Sequence, residues 1–139
     1  MAYSSLSLFP IYPYIHRSQV VQFTGTHIYP FGNGIFERPP VVALMEISSG
    51  DRFILIGIHI KPSNAEMELN ALSDVFTYAT RIYSIQTGFI FGDFNVDYLS
   101  HQKIQSLSIY SNQNYHWLLH GVYTNVARRP TSQRKQYDQ

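Results

Sequence analysis

Within "GFIFGDFNVD", Gly88 to Asp97, an apolar run ends in two aspartates, Asp93 and Asp97, with Asn95 between them. A histidine, His59, closes an earlier apolar run of the same kind. Together these residue types suit hydrolysis of a phosphodiester. That reaction needs an oxygen-ligated divalent cation, a carboxylate to orient or deprotonate water, an amide to hold a phosphate oxygen, and an imidazole to stabilise or protonate charged groups. Taken singly, each feature has a plainer explanation, since Gly-Asp-x-Asn forms Asx turns and a histidine late in a strand is commonly structural. Their combination at strand ends favours chemistry, because open α/β sheets place their sites there and in the loops that follow.

The elements that position these residues are legible. "VVALMEIS" (Val41 to Ser48) and "DRFILIGIHI" (Asp51 to Ile60) are apolar, β-branched runs joined by Ser49-Gly50, which predicts adjacent antiparallel strands with a tight turn. After Lys61-Pro62, Ser63 can cap a helix whose first turn carries Glu66. Leu69, Leu72, Val75, Phe76, Ala79 and Ile82 follow at three- and four-residue spacing, which predicts an amphipathic helix of about five turns. "GFIFG" then reads as another buried strand, so the order strand, helix, strand points to a layered α/β fold. "QVVQFTG" (Gln19 to Gly25) reads as one more strand, "YPFGNG" (Tyr29 to Gly34) as a loop, Ser100 to Tyr110 as a shorter helix and "YHWLL" (Tyr115 to Leu119) as a strand. The helix from Ser63 to Ser84 is expected on an outer face, burying Leu72, Phe76 and Ile82, with His59 and Asp93 on one edge.

Composition narrows the classes. In 139 residues, 45% are hydrophobic and 14% charged, which suits one globular core and argues against disorder. The formal charge of +1 excludes a strongly basic nucleic-acid binder, so any polyanion contact must be local. There is no cysteine, which rules out a disulfide framework and a thiolate metal site without assigning a compartment. The stretch "MAYSSLSLFPIYPYIH" lacks a basic n-region and a long apolar h-region and does not read as a signal peptide; no segment is apolar for long enough to predict a membrane helix. "ARRPTSQRK" (Ala127 to Lys135) has the composition of an exposed loop.

Several stretches, in order, resemble one family. "FERPPVV" (Phe36 to Val42) is similar to a Phe-x-Arg-x-Pro segment, "IHIKPSNAEMELNALSDV" (Ile58 to Val75) to a His-x-x-Pro-x-x-Ala-x-x-Glu-Leu run, and "GDFNVD" to a Gly-Asp-Phe-Asn-x-Asp signature of the deoxyribonuclease I family, within the endonuclease/exonuclease/phosphatase superfamily. "HWLL", "YTNVA" and "QYDQ" are similar to its Trp-Leu, Thr-rich and Tyr-Asp-Arg segments. Gly-Asp-Phe-Asn alone would also suit retrotransposon endonucleases or phosphatases of the superfamily, whereas the long match from His59 to Val75 is specific to this branch.

The resemblance implies an α/β sandwich of two packed β-sheets flanked by helices, and a divalent-metal-dependent endodeoxyribonuclease acting on double-stranded DNA. It implies Mg²⁺ or Mn²⁺ as cofactor, with Ca²⁺ as a further ion and actin as a further partner. By the same resemblance Asp93 orients or activates water and holds the metal with a glutamate earlier in the family's chain. Asn95 holds the scissile phosphate or the metal shell, His59 is one of two histidines flanking the phosphate, Arg38 contacts the DNA backbone, and Asp138 orients the second histidine. Asp97 has a supporting role, while Tyr29, Trp117 and Thr124 are packing or loop residues.

Residues 1–139 then correspond to the central portion of the family's domain, incomplete at both ends, with the first metal-binding glutamate before it and the second catalytic histidine after it. Gln139 stands where the family has Arg, and the loop around Gly32 lacks the family's cysteines. The position expected to carry the glutamate that pairs with His59 falls near Pro10. These departures imply weak or absent activity in the chain alone, and leave a non-catalytic homologue binding DNA or a protein partner as the alternative.

Overall fold

The computed structural model describes residues 3–6, 14–96 and 99–118, with side chains from His16 onward. Its centre is a mixed sheet of four strands in the order β3 (Val21–Ile28), β4 (Val41–Ile47), β5 (Arg52–His59) and β6 (Gly88–Asp93). The pair β3 and β4 and the pair β4 and β5 are antiparallel, and β5 and β6 are parallel. The β4–β5 hairpin forms as its alternating, β-branched sequence predicts. Its turn is closed by the Gly50 N–H donating to the Ile47 carbonyl, 2.8 Å, and by the Ser49 hydroxyl donating to Asp51, 2.6 Å.

Helices cover one face of this sheet. Between β5 and β6 the chain forms a 3₁₀ turn (Pro62–Asn64), α1 (Ala65–Asn70) and α2 (Leu72–Tyr83). Ile54, Ile56 and Ile58 of β5 and Val42 of β4 meet Leu69, Leu72, Val75 and Ala79 in one buried cluster. Two further short helices, α3 (His101–Ser106) and α4 (Ser108–Ser111), add Ile104 and Ile109 to the same core. The layered α/β architecture is therefore present. The second β layer is represented among the described residues by the two-stranded pair β1 (Tyr3–Leu6) and β2 (Tyr14–Arg17), which meets the opposite face where the His16 ring packs edge-on against Phe23, 4.7 Å between centroids.

Six expectations need correction. The helix expected from Ser63 is broken at Ala71, because the Asn70 carbonyl accepts from the Ser73 and Ser108 hydroxyls and its side chain accepts from the Ser108 N–H. Ser63 does not cap a helix; its hydroxyl donates to the Asn64 side chain instead. The apolar face also runs one residue away from the expected phase at its end. Ile82 is exposed and Phe76 half-buried, while Tyr83 turns inward, its hydroxyl 3.5 Å from the Val42 carbonyl and its pKa pushed up to about 12 by burial and then by Tyr78.

The helix expected over Ser100 to Tyr110 is interrupted at Leu107, whose backbone is extended and whose side chain is fully buried. Tyr115 to Trp117 form no strand, and Leu119 lies outside the described residues. Tyr115 and Trp117 pack by their rings instead, on Phe76 and on Phe94 and Tyr110.

The sixth correction concerns "GFIFG". A continuous apolar run suits a strand covered on both faces, but among the described residues β6 is the outermost strand of the sheet, and of its apolar side chains Ile90 packs on the helix-side core. Phe89 and Phe91 stand on the other face, 46% and 40% exposed, with Phe89 set edge-on to Phe53 at 5.6 Å. An apolar edge strand is a template for pairing with another chain. Phe89→Lys is thus expected to keep the chain monomeric at concentrations where the wild type self-associates. Sedimentation equilibrium reads this directly, and unchanged association would count against it.

Candidate active site at the His59–Asp93 edge

Because β5 and β6 run parallel, their C-terminal ends reach the same edge of the sheet, and His59 and Asp93 are register partners there. Register partners point to the same face. The His59 Nε2 lies 3.9 Å from the Asp93 Oδ2, with both side chains about half exposed (42% and 54%). At that distance and exposure the pair is a weak, screened contact that leaves both groups accessible to a ligand.

The segment after Asp93 alternates inward and edge positions. Val96 is fully buried and Phe94 packs on Trp117, which anchors the loop while Asp93 and Asn95 stay at the rim. Asn95 has a left-handed backbone, φ +48°, a conformation asparagine tolerates better than most residues. Its N–H donates to the Asp93 Oδ1, 3.1 Å, and its side-chain Nδ2 donates to the Ile60 carbonyl, 2.7 Å. Ile60 in turn donates its N–H to the Asp93 carbonyl, 2.8 Å. The Asx turn and the strand-end site are thus one structure: the turn holds the Asp93 carboxylate and ties it to the residue following His59.

This geometry gives a stability prediction. Asn95→Gly removes the Ile60 bond but keeps the backbone conformation, and is expected to cost about 1 kcal/mol. Asn95→Ala adds the left-handed strain and should cost roughly 1–2 kcal/mol more. Urea midpoints for the two variants check the order; an alanine variant as stable as the glycine one would refute the strained turn.

Arg38 is partly buried on the loop before β4. Its neighbour Glu37 bonds the Lys61 ammonium, 2.9 Å, and Lys61 follows His59 by two residues. The Lys61 hydrogen bond and charge, and then Arg38, hold the Glu37 carboxyl below the usual carboxylate range. Tyr29 is buried in a ring cluster with Phe31, Phe36 and Tyr78, as a packing residue. Asp97, Thr124 and Asp138 lie outside the described residues, as do the segments "YTNVA" and "QYDQ".

Sequence reasoning matches Glu68 to the Glu of the His-x-x-Pro-x-x-Ala-x-x-Glu-Leu run but gives it no role; the structure ties it to the backbone of both the Arg38 and His59 segments. The signal was available. Glu68 occupies an apolar position of the helical repeat, three residues after Ala65 and four before Leu72.

No family model matches the chain. It is 30% identical over 125 residues to Deoxyribonuclease-1-like 1 of Cricetulus griseus, covering 87% of this chain and 41% of that protein. It is also 30% identical over 134 residues to Deoxyribonuclease-1 of Gallus gallus, covering 84% of this chain and 48% of that protein. Over the stretch it shares with these proteins the chain is a homologue of the deoxyribonuclease I family. It spans under half the length of each of the two relatives named. Among solved structures, zebrafish TDP2 in complex with a single-strand DNA product aligns over 67% of this chain and 36% of its own, with a TM-score of 0.47 and 20% identity.

For this deoxyribonuclease I relative, the donors at the edge can be tested against a hard divalent cation. Among the described residues no group of three or more His, Asp or Glu could hold a metal ion. The Asp93 carboxylate and the Asn95 carboxamide supply oxygen donors, which suits a cation such as Mg²⁺ that keeps several waters and takes one or two carboxylates. The fit is that of part of a site.

Proposed function

We propose that this chain carries part of the active site of a divalent-metal-dependent endodeoxyribonuclease that hydrolyses phosphodiester bonds of double-stranded DNA. The observation that carries this reading is the convergence of His59, Asp93 and Asn95 at the C-terminal ends of two parallel strands in a chain related to deoxyribonucleases. Asp93 orients the attacking water and is the residue that would hold the metal, with Asn95 beside it. His59 donates a hydrogen bond or a proton to a phosphate oxygen, and Arg38 contacts the DNA backbone, where a guanidinium pairs with phosphate oxygens. A bound Mg²⁺ or Mn²⁺ would supply charge neutralisation at the phosphate and lower the pKa of bound water.

The limited donor set among the described residues favours a second reading for the chain by itself, a non-catalytic homologue that binds DNA without cleaving it. Relaxation of supercoiled plasmid in Mg²⁺, with and without EDTA, separates the two. The first reading expects EDTA-sensitive nicking once the remainder of the domain is supplied, and the second expects binding alone in either context.

A further inference from the structure

Glu68 is the one fully buried charged residue among those described. A carboxylate withdrawn from water needs hydrogen-bond donors in exchange. Here the donors are backbone groups: its Oε1 accepts from the Glu37 N–H at 3.3 Å and its Oε2 from the Lys61 N–H at 3.4 Å, both at the long end of the N–H···O range. One segment carries Arg38 and the other follows His59. The stretch from His59 to Lys61 is held twice more, by the Asp93 carbonyl on the Ile60 N–H and by Asn95 on the Ile60 carbonyl. The Lys61 ammonium joins the same two segments through Glu37.

We infer that Glu68 is a positioning residue that fixes the Arg38 segment against the His59–Asp93 edge, so that guanidinium and imidazole address one phosphate group. The inference that they meet a phosphate rests on the proposed function; the positioning itself rests on the two backbone bonds. Glutamate is required because both of its oxygens accept, whereas glutamine offers one acceptor and turns an N–H₂ toward an N–H donor. Nearly equal size makes Glu68→Gln the informative change, since it removes one tie while conserving the packing of the core.

The test uses the 139-residue chain, with Glu66→Gln as control because the Glu66 carboxylate bonds Lys103 at the surface. By NMR, Glu68→Gln is expected to move both the Arg38 Nε–H and the His59 ring resonances and to speed amide exchange at Glu37 or Lys61 about tenfold, with β4 and β5 amides unchanged. The control moves neither resonance. Stationary Arg38 and His59 resonances in Glu68→Gln would overturn the positioning role.

Binding of a short DNA duplex at low salt then tests what the positioning serves. Arg38→Ala should weaken binding about tenfold in the wild-type background and less than about twofold in Glu68→Gln, the sign of coupled residues. An equal loss in both backgrounds would reduce Glu68 to a structural residue and overturn the inference. If the resonances move but the wild-type chain binds no duplex, the positioning stands and the DNA reading falls.

Discussion

Gly92→Ala is expected to destabilise the chain by about 3 kcal/mol or more, and to disorder the edge that carries Asp93. Gly92 has φ +144°, a region L residues rarely adopt, and a Cβ built there collides with the carbonyl group of Ile58, its register partner on β5. Both partners are backbone, so neither side-chain rotation nor local adjustment relieves the overlap. Relief requires β6 to move away from β5 at the point where His59 and Asp93 meet. Gly50→Ala is the matched control, because Gly50 also has positive φ (+89°) but faces open space, and should cost about 1 kcal/mol. Against a typical domain stability of roughly 5–15 kcal/mol, the Gly92 loss would be apparent as a large fall in the urea midpoint. Equal midpoints for the two alanine variants would show that the β5–β6 pairing is not as close as described.

Much of this is legible in the amino-acid sequence. The hairpin of β4 and β5 follows from two β-branched runs and a Ser-Gly turn, and the arrival of His59 and Asp93 at one edge follows from a strand, helix, strand order that makes their strands parallel. Periodicity located α2 but misplaced its last inward residue, because Tyr83, four residues after Ala79, competes with Ile82 for the same face. The break at Ala71 depends on Ser108, thirty-eight residues away from Asn70, and no local pattern encodes it. Among the described residues β6 is the last strand of the sheet and Phe89 and Phe91 are only partly covered, a property of topology and layering that an apolar run does not reveal. The role of Glu68, matched only as part of a motif, is signalled by an acidic residue standing in an apolar repeat.

The site's chemistry is tested by removing its two exposed functional groups. Asp93→Ala deletes the carboxylate that would orient water and hold the metal, and His59→Ala deletes the imidazole beside it; each such loss slows catalysis by roughly a hundred- to ten-thousandfold. Acting on one phosphate, the two need not be additive. Both side chains are half exposed, so His59→Ala should cost no more than about 1 kcal/mol of stability, and Asp93→Ala, which also removes the acceptor of the Asn95 N–H, about 1–2 kcal/mol. Loss of activity would therefore report chemistry rather than folding.

The most direct measurement is nicking of supercoiled plasmid in Mg²⁺ by a chimera in which this chain replaces its counterpart in the Gallus gallus deoxyribonuclease. The account predicts nicking that EDTA abolishes and that falls at least about a hundredfold in Asp93→Ala and in His59→Ala. Nicking that persists undiminished in the Asp93→Ala chimera would contradict it.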